Sequence, residues 1–378
     1  MTTKTANSSV SFLKGRLTTL DVFRGITIAL MIIVNNPGGA AYYSFLQHAT
    51  WNGLTFADIV FPFFIFIVGA AIPFSLTKRI DQGTSKKKLF VVVVRRTLIL
   101  FALGLLINGF PTFDLATFRI MGVLQRIALC YFFASIIFIY LKPKWQIILT
   151  VAIPIAYWML MTLVPVPGYG AGVLNEQGNL ASYIDRLLLD GHLFTNTWDP
   201  EGILSTLPAV ATCLIGVLAG RCLKSEREPQ AKTLNLFFFG SLALFIGFLW
   251  NFWFPINKNL WTSSYVFFTG GIALLILAVC FYTIDTRRYT SWTKPFTMLG
   301  LNAILIYVLS EIVNLALIYA RIPLTENTNA SLKSLIYERL FSSWAGPLHG
   351  SFLYALAYLA FCWAVAAILY RKRIFLKI

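Results

Sequence analysis

Acidic side chains are scarce in this chain: 15 Asp and Glu stand against 31 Lys and Arg in 378 residues, and only 12% of the residues are charged. With 58% hydrophobic residues and a mean hydropathy of +0.73, the chain cannot cover itself with polar surface in water. That excludes a soluble globular domain and implies a polytopic membrane protein. Cysteine is rare as well. Cys130, Cys213, Cys222, Cys280 and Cys362 fall in or beside apolar runs without paired spacing, so free, buried thiols are expected rather than a disulfide framework. The three histidines, His48, His192 and His349, lie far apart with no HxxxH or HExxH pattern, and no GxGxxG or Walker lysine loop occurs. No metal site is therefore expected. No basic run is interleaved with aromatics, so the net charge of +16 does not imply a nucleic-acid partner. The first sixteen residues, MTTKTANSSVSFLKGR, lack an apolar h-region, and no signal peptide is expected.

What the chain does have is long apolar runs. A hydrocarbon core of about 30 Å needs about 20 apolar residues per helix, and ten stretches qualify: 20–36, 55–78, 89–108, 120–141, 146–164, 201–222, 235–254, 260–283, 296–319 and 350–370. They are continuous, without the residue-by-residue alternation of a lipid-facing strand. The expected fold is an all-α bundle forming one transmembrane domain over 1–378, with 1–16 as a cytoplasmic tail and 165–200 and 320–349 as outer loops. Positive charge is lopsided under this topology. Only Arg119, Arg126, Arg186, Lys258, Arg321, Lys333 and Arg339, 7 of the 31 Lys plus Arg, fall on the outer side. By the positive-inside rule both termini are cytoplasmic. The basic rim explains the net charge and attracts anionic membrane lipid.

The segment from Arg16 to Ala70 concentrates the candidate chemistry. An apolar stretch after LDVFRG ends in VNNPGG, and a loop carries QHATWNGLTFAD before the next stretch begins. His48 is hemmed there by Asn35, Asn36, Trp51, Asn52 and Asp58, all able to hydrogen-bond or to line a pocket. The loop 165–200 holds PVPGYG, an ASYIDRLLLDGHLF segment whose Ile184, Leu187 and Leu188 suit a membrane surface, and a closing WDPEG. Its region carries Glu176, Asp185, Asp190, Asp199 and Glu201, read either as solvated charges of an interfacial helix or as a lid over a polar substrate. Ionisable groups inside a membrane are costly and usually mark a site or a buried pair. Arg126, Asp58 and Glu311 fall at one depth in the outer portion of the bundle, joined by Lys258 and Asn259 of INKNLW. Arg126 and Glu311 could alternatively form a structural ion pair. GVLAG, with Gly216 and Gly220, has the spacing of helix packing.

The segments RLTTLDVFRG, HATWNGLTFADIVFPFFIFIVG, RIMGVLQRIAL, LVPVPGYG, YIDRLLL, DPEGILST, NKNLWTSSYV, the glutamate at 311 and the ending YRKRIFLKI resemble the membrane domain of the heparan-α-glucosaminide N-acetyltransferase family. The resemblance runs from Arg16 to Ile378 in order. It implies transfer of an acetyl group from cytoplasmic acetyl-CoA to the amine of a glucosamine-type sugar or glycan on the far side, in the inner membrane if the source is bacterial. It also places the family's catalytic histidine on His48, the neighbouring asparagine on Asn35, the acidic position on Asp58, and the outer NKNLW motif on Lys258 and Asn259. Dimerisation is a family-level expectation. His48 is expected to take the amine proton, Asn35 to donate to the thioester oxygen, and Asp58 or a neighbour to orient the imidazole, with a covalent acetyl-imidazole on His48 as the alternative to direct transfer. Substrate contacts are expected from Trp51, Asn52, Arg126, Lys258, Asn259, Glu311, Asp199 and Glu201, with Arg24 a candidate for the nucleotide phosphates. The resemblance implies two departures from the animal enzymes: their lumenal domain ahead of RLTTLDVFRG is expected to be missing, and Ser310 stands where a histidine is expected. An amino-sugar transporter and an O-acyltransferase acting on an envelope glycan are the alternatives.

Overall fold

The computed structural model describes residues 17–325 and 328–376; the 1–16 tail lies outside the described residues. Helix α1 spans Thr18–Asn35, and α2 spans Val60–Asp81, entered through a turn at Ala57–Ile59. Then follow α3 (Lys86–Gly109), α4 (Val123–Tyr140), α5 (Pro143–Leu163), the short α6 (Leu180–Leu189), α7 (Ile203–Lys224), α8 (Pro229–Trp250) and α9 (Ser263–Phe281). The chain ends with α10 (Thr293–Leu301), α11 (Ala303–Tyr319), a hairpin of β1 (Arg321–Thr325) and β2 (Thr328–Ser331), α12 (Leu332–Tyr337) and α13 (Ser343–Arg371). Local starts follow ordinary rules. Pro143 and Pro229 open α5 and α8, where a missing N–H costs nothing, and the Asn179 side chain caps α6 by accepting from the Ser182 N–H at 2.8 Å.

Among the described residues nine helices are long and apolar enough to cross a membrane, and a tenth arises if α10 and α11 are one bent span. The stretch expected as one helix over 296–319 is instead broken, with a 78° bend at Asn302. The Asn302 side chain is spent on the C-terminal segment, donating to the Ile374 carbonyl and accepting from the Leu376 N–H at 3.0 Å each. Helix α13 likewise bends where Gly346 adopts a φ of 76° before Pro347. Burial sorts the helices into two shells. In α7 the most apolar window is 78% buried inside the protein, against 17% in α3, so α3 belongs with α5 and α8 to a lipid-facing periphery around α1, α2, α4, α7 and α9.

The seam between α2 and α7 is made of glycine. A Cβ on Gly216 would run into the Phe66 carbonyl, one on Gly220 into the Ala70 carbonyl, and one on Gly69 into the Cys213 carbonyl. The small-residue spacing of GVLAG is thus a packing device, as read from the sequence. All five cysteines are free, and four are buried. Residues 36–59, 110–122, 164–202, 251–262, 320–325 and 328–342 gather at one end of the bundle, and the basic connections gather at the other. Leu17 and the segment around Leu376 share the basic end, since Gly300, two residues before Asn302, packs on the Asp21 backbone.

Candidate functional site

The loop between α1 and α2 is organised by Asp58. This carboxylate is 1% exposed and accepts from the backbone N–H groups of Ala49 and Thr55 and from the Thr55 hydroxyl, each at 3.0 Å through Oδ2. Its Oδ1 lies 2.7 Å from His48 Nδ1, and its backbone carbonyl accepts from the Tyr265 hydroxyl at 2.5 Å. A carboxylate hydrogen-bonded this way can only accept, so Nδ1 carries the imidazole proton and Nε2 presents a lone pair. The His48 side chain is 47% exposed, which keeps that lone pair reachable.

Lys258, on the turn before α9, completes the corner. Its Nζ stands 3.0 Å from His48 Nδ1, 3.3 Å from Nε2 and 3.6 Å from Asp58 Oδ1. Near-equal distances to two nitrogens flanking one carbon put the ammonium over the ring rather than on either lone pair. Burial pushes the Lys258 ammonium down from the usual lysine range, against the upward pull of the Asp58 carboxylate.

A second charged corner lies opposite. Arg119, just ahead of α4, donates through Nε and Nη2 to the two Asp199 oxygens at 2.8 and 2.5 Å and through Nη2 to Glu201. Asp199 also accepts from the backbone N–H groups of Phe194 and Glu201. Desolvation alone would lower the Arg119 guanidinium and raise the Glu201 carboxyl. Their mutual attraction, with Asp199, wins, so Arg119 is held above and Glu201 below its ordinary range. Arg126 lies underneath, fully buried, donating to the Gly202 carbonyl and the Ser205 hydroxyl, with its guanidinium 5.0 Å from the Trp261 ring centroid.

Between the corners is a cavity of about 340 Å³. Of the residues expected at the site, Asn35, His48, Lys258, Asn259 and Glu201 line it, and Arg119, Thr50, Phe194 and Trp198 line it although sequence reading did not single them out. Met31, Val60 and Phe61 carry the wall down into the bundle. The other expected residues stand behind this lining. Asp58 holds His48, Asp199 holds Arg119, and Trp51 packs edge-on against Trp198 at 5.3 Å while its indole N–H donates to the Leu174 carbonyl. Asn52 accepts from the Asn257 carboxamide, and Glu311 meets the site only through Asn35, whose Nδ2 donates to it at 3.3 Å.

Two readings are corrected. Arg126 and Glu311 do not pair with each other; Arg126 is tied to the start of α7 and Glu311 to Asn35. Asp185, Asp199 and Glu201 are buried rather than solvated, leaving Glu176 and Asp190 as the exposed acids of that region, although Leu187 and Leu188 do face outward. Arg24 is at the basic end, where it donates to Asp21 and to the Gly300 carbonyl at the C-terminus of α10. His192 Nδ1 lies 2.8 Å from the Phe118 carbonyl and His349 Nδ1 2.6 Å from the Tyr43 hydroxyl, and neither is among the residues lining the cavity. Among the described residues no three His, Cys, Asp or Glu side chains are grouped to hold a metal ion.

Residues 16–252 match the family described as "Heparan-alpha-glucosaminide N-acetyltransferase, catalytic". The chain belongs to this family. It is 33% identical over 360 residues to the heparan-alpha-glucosaminide N-acetyltransferase of Mus musculus, covering 79% of this chain and 53% of that protein. Against the Homo sapiens protein of the same name it is 33% identical over 366 residues, covering 80% of this chain and 54% of the relative. The chain thus spans about half the length of the curated relatives it matches. The family match includes the α1–α2 loop, Arg119 and the Trp198–Glu201 segment, and so takes in both corners of the cavity apart from Lys258.

Proposed function

We propose that this family member transfers the acetyl group of acetyl-CoA to the amine of a glucosamine-type sugar. The observation that carries the reading is the His48–Asp58 pair, 2.7 Å apart and opening on a cavity within the family's matched segment. A neutral amine attacks the thioester carbonyl carbon while His48 Nε2 takes the proton that the amine must shed. The C–S bond then breaks, and the imidazolium returns the proton to the departing thiolate, so the coenzyme leaves as a thiol. Asp58 holds the Nδ1–H tautomer and faces the charge that develops on the ring. Asn35 keeps a second N–H beyond the one given to Glu311, and with the Lys258 ammonium it supplies candidates to stabilise the developing oxyanion.

The cavity lies at the low end of small-molecule sites, which span about 300–1,000 Å³. It suits a monosaccharide and the thioester end of the donor rather than a whole coenzyme. With the basic end toward the cytoplasm by the positive-inside rule, the donor approaches from that side and the acceptor from the loop end. Acetyl transfer from radiolabelled acetyl-CoA to glucosamine by purified protein, compared with His48→Ala, tests the reading. Labelled N-acetylglucosamine made by the wild type alone supports it. Uptake of glucosamine into proteoliposomes without any label transfer replaces it with transport.

A further inference from the structure

The wall of the cavity nearest the Arg119 corner is aromatic. Trp198 and Phe194 both line it, with ring centroids 6.4 Å apart and planes inclined by 56°. Phe194 is 59% exposed at the rim of this cavity, so its ring is not consumed by packing. Nor is the pair loosely held. The Trp198 N–H donates to the Thr195 hydroxyl at 3.0 Å, the Thr195 N–H and hydroxyl return bonds to the Trp198 carbonyl at 3.1 and 2.8 Å, and Asp199 accepts from the Phe194 N–H at 3.0 Å. Trp51 buttresses Trp198 from behind, and the Arg119 guanidinium backs the Phe194 ring at 4.7 Å. The rings are therefore fixed before any ligand arrives, which cuts the ordering cost of binding.

A rigid aromatic surface beside a carboxylate, a guanidinium and a carboxamide matches a ligand with one apolar face and a polar rim. A pyranose ring has that form, because its axial C–H groups cluster on a face while its hydroxyls point outward. We infer that Trp198 and Phe194 form the platform that seats the acceptor's sugar ring, so that ring shape, rather than the amine alone, decides which acceptor is used. The inference rests on the proposed function, whose amine must reach His48 on the opposite wall. A membrane-interface aromatic belt is the competing account of the same two rings.

The test compares wild type with Trp198→Ala, Trp198→Phe and Phe194→Ala. Two measurements are made: binding of radiolabelled glucosamine without donor, and the ratio of kcat/KM for glucosamine to that for ethanolamine, an acyclic amino alcohol. Stacking on a fixed aromatic predicts a loss of about threefold to tenfold in glucosamine affinity and in that ratio for each alanine variant, and a smaller loss for Trp198→Phe. Phe194→Ala keeps the test usable if Trp198→Ala does not fold, since Phe194 is largely exposed. Unchanged glucosamine binding in both alanine variants, or an equal fall for the two amines, overturns the platform. The binding arm stands by itself: a wild type that binds glucosamine through these rings yet transfers no acetyl group refutes the proposed reaction and leaves the platform in place.

Discussion

The two charged corners of the cavity use similar side chains to opposite ends. At the Arg119 corner every charge is spent on another: the guanidinium spans both Asp199 oxygens and reaches Glu201, and burial is repaid by ideal geometry. At the His48 corner the pairing is incomplete. Asp58 accepts a hydrogen bond from the Nδ1–H and stands 3.6 Å from the Lys258 ammonium, but the Nε2 lone pair has no carboxylate or proton assigned to it. A charge that is already neutralised can hold structure but has little left for a substrate. Charge and basicity left over can do chemistry, so the difference separates a brace from a reactive group.

The comparison is broken most severely at His48. Replacing it by alanine removes the proton acceptor and is expected to lower kcat by about 10²–10⁴-fold while leaving the thermal midpoint nearly unchanged; turnover near the wild-type value would remove His48 from the chemistry. Arg119→Leu is the mirror experiment. It leaves two buried carboxylates without their partner and is expected to cost about 3–5 kcal/mol of stability, read as a lowered unfolding midpoint in detergent. An Arg119→Leu protein as stable as the wild type would show that this corner is not a brace.

A third prediction concerns Asp185, which sharpens the contrast because it supports the start of α7 beside the Arg119 corner. Its Oδ1 accepts from the Ile203 N–H at 2.8 Å, and burial raises its pKa from 3.8 to about 7 despite that bond. A carboxyl with a raised folded-state pKa stabilises the fold fully below its unfolded value, and the contribution is lost as pH rises through the folded value. The window is therefore about pH 4 to 7, with stability falling as pH increases. Asp185→Asn keeps the accepting oxygen but cannot ionise. Its unfolding midpoint should vary less with pH over that window, and parallel curves for the two proteins would count against the raised pKa. The smallest effect is expected at Asn52, exposed and bonded to Asn257 outside the cavity; alanine there should change glucosamine KM by less than about twofold, within the range of ordinary surface substitutions.

Much of the architecture was legible because hydropathy reports burial in lipid directly. The apolar runs located most spans to within a few residues, missing the starts of α8 and α13 by six and seven, and the loop ending at Asp58 stood out by its polar side chains. Direction around the bundle was not legible. Arg126 and Glu311 were expected at one level, yet Arg126 is bonded to the start of α7 and Glu311 to Asn35. The break at Asn302 was hidden because a single carboxamide barely alters the mean hydropathy of FTMLGLNAILIYVLSE, while its partners, Ile374 and Leu376, are supplied from the far end of the chain. Arg119 was passed over since a cation beside a span is ordinarily a topology marker. Its closeness to WDPEG is a property of the fold, not of sequence distance. Asp185 was read as solvated because an amphipathic helix normally turns its charges outward, whereas here the absent side chain of Gly202 makes the room into which the carboxylate fits.

The glycine seam between α2 and α7 has a consequence for inheritance. His48 and Asp58 precede α2, and Asp199 and Glu201 precede α7, so the width of the cavity is set by how closely these two helices cross. Gly216 lies 13 residues beyond the start of α7, roughly 20 Å along its axis. Adding one methyl group there wedges the helices apart against a carbonyl that cannot yield. A gene for this protein thus presents a mutational target far wider than its reactive groups: loss-of-function alleles will include codons in a stretch with no polar side chain, and a search confined to the neighbourhood of His48 would overlook them.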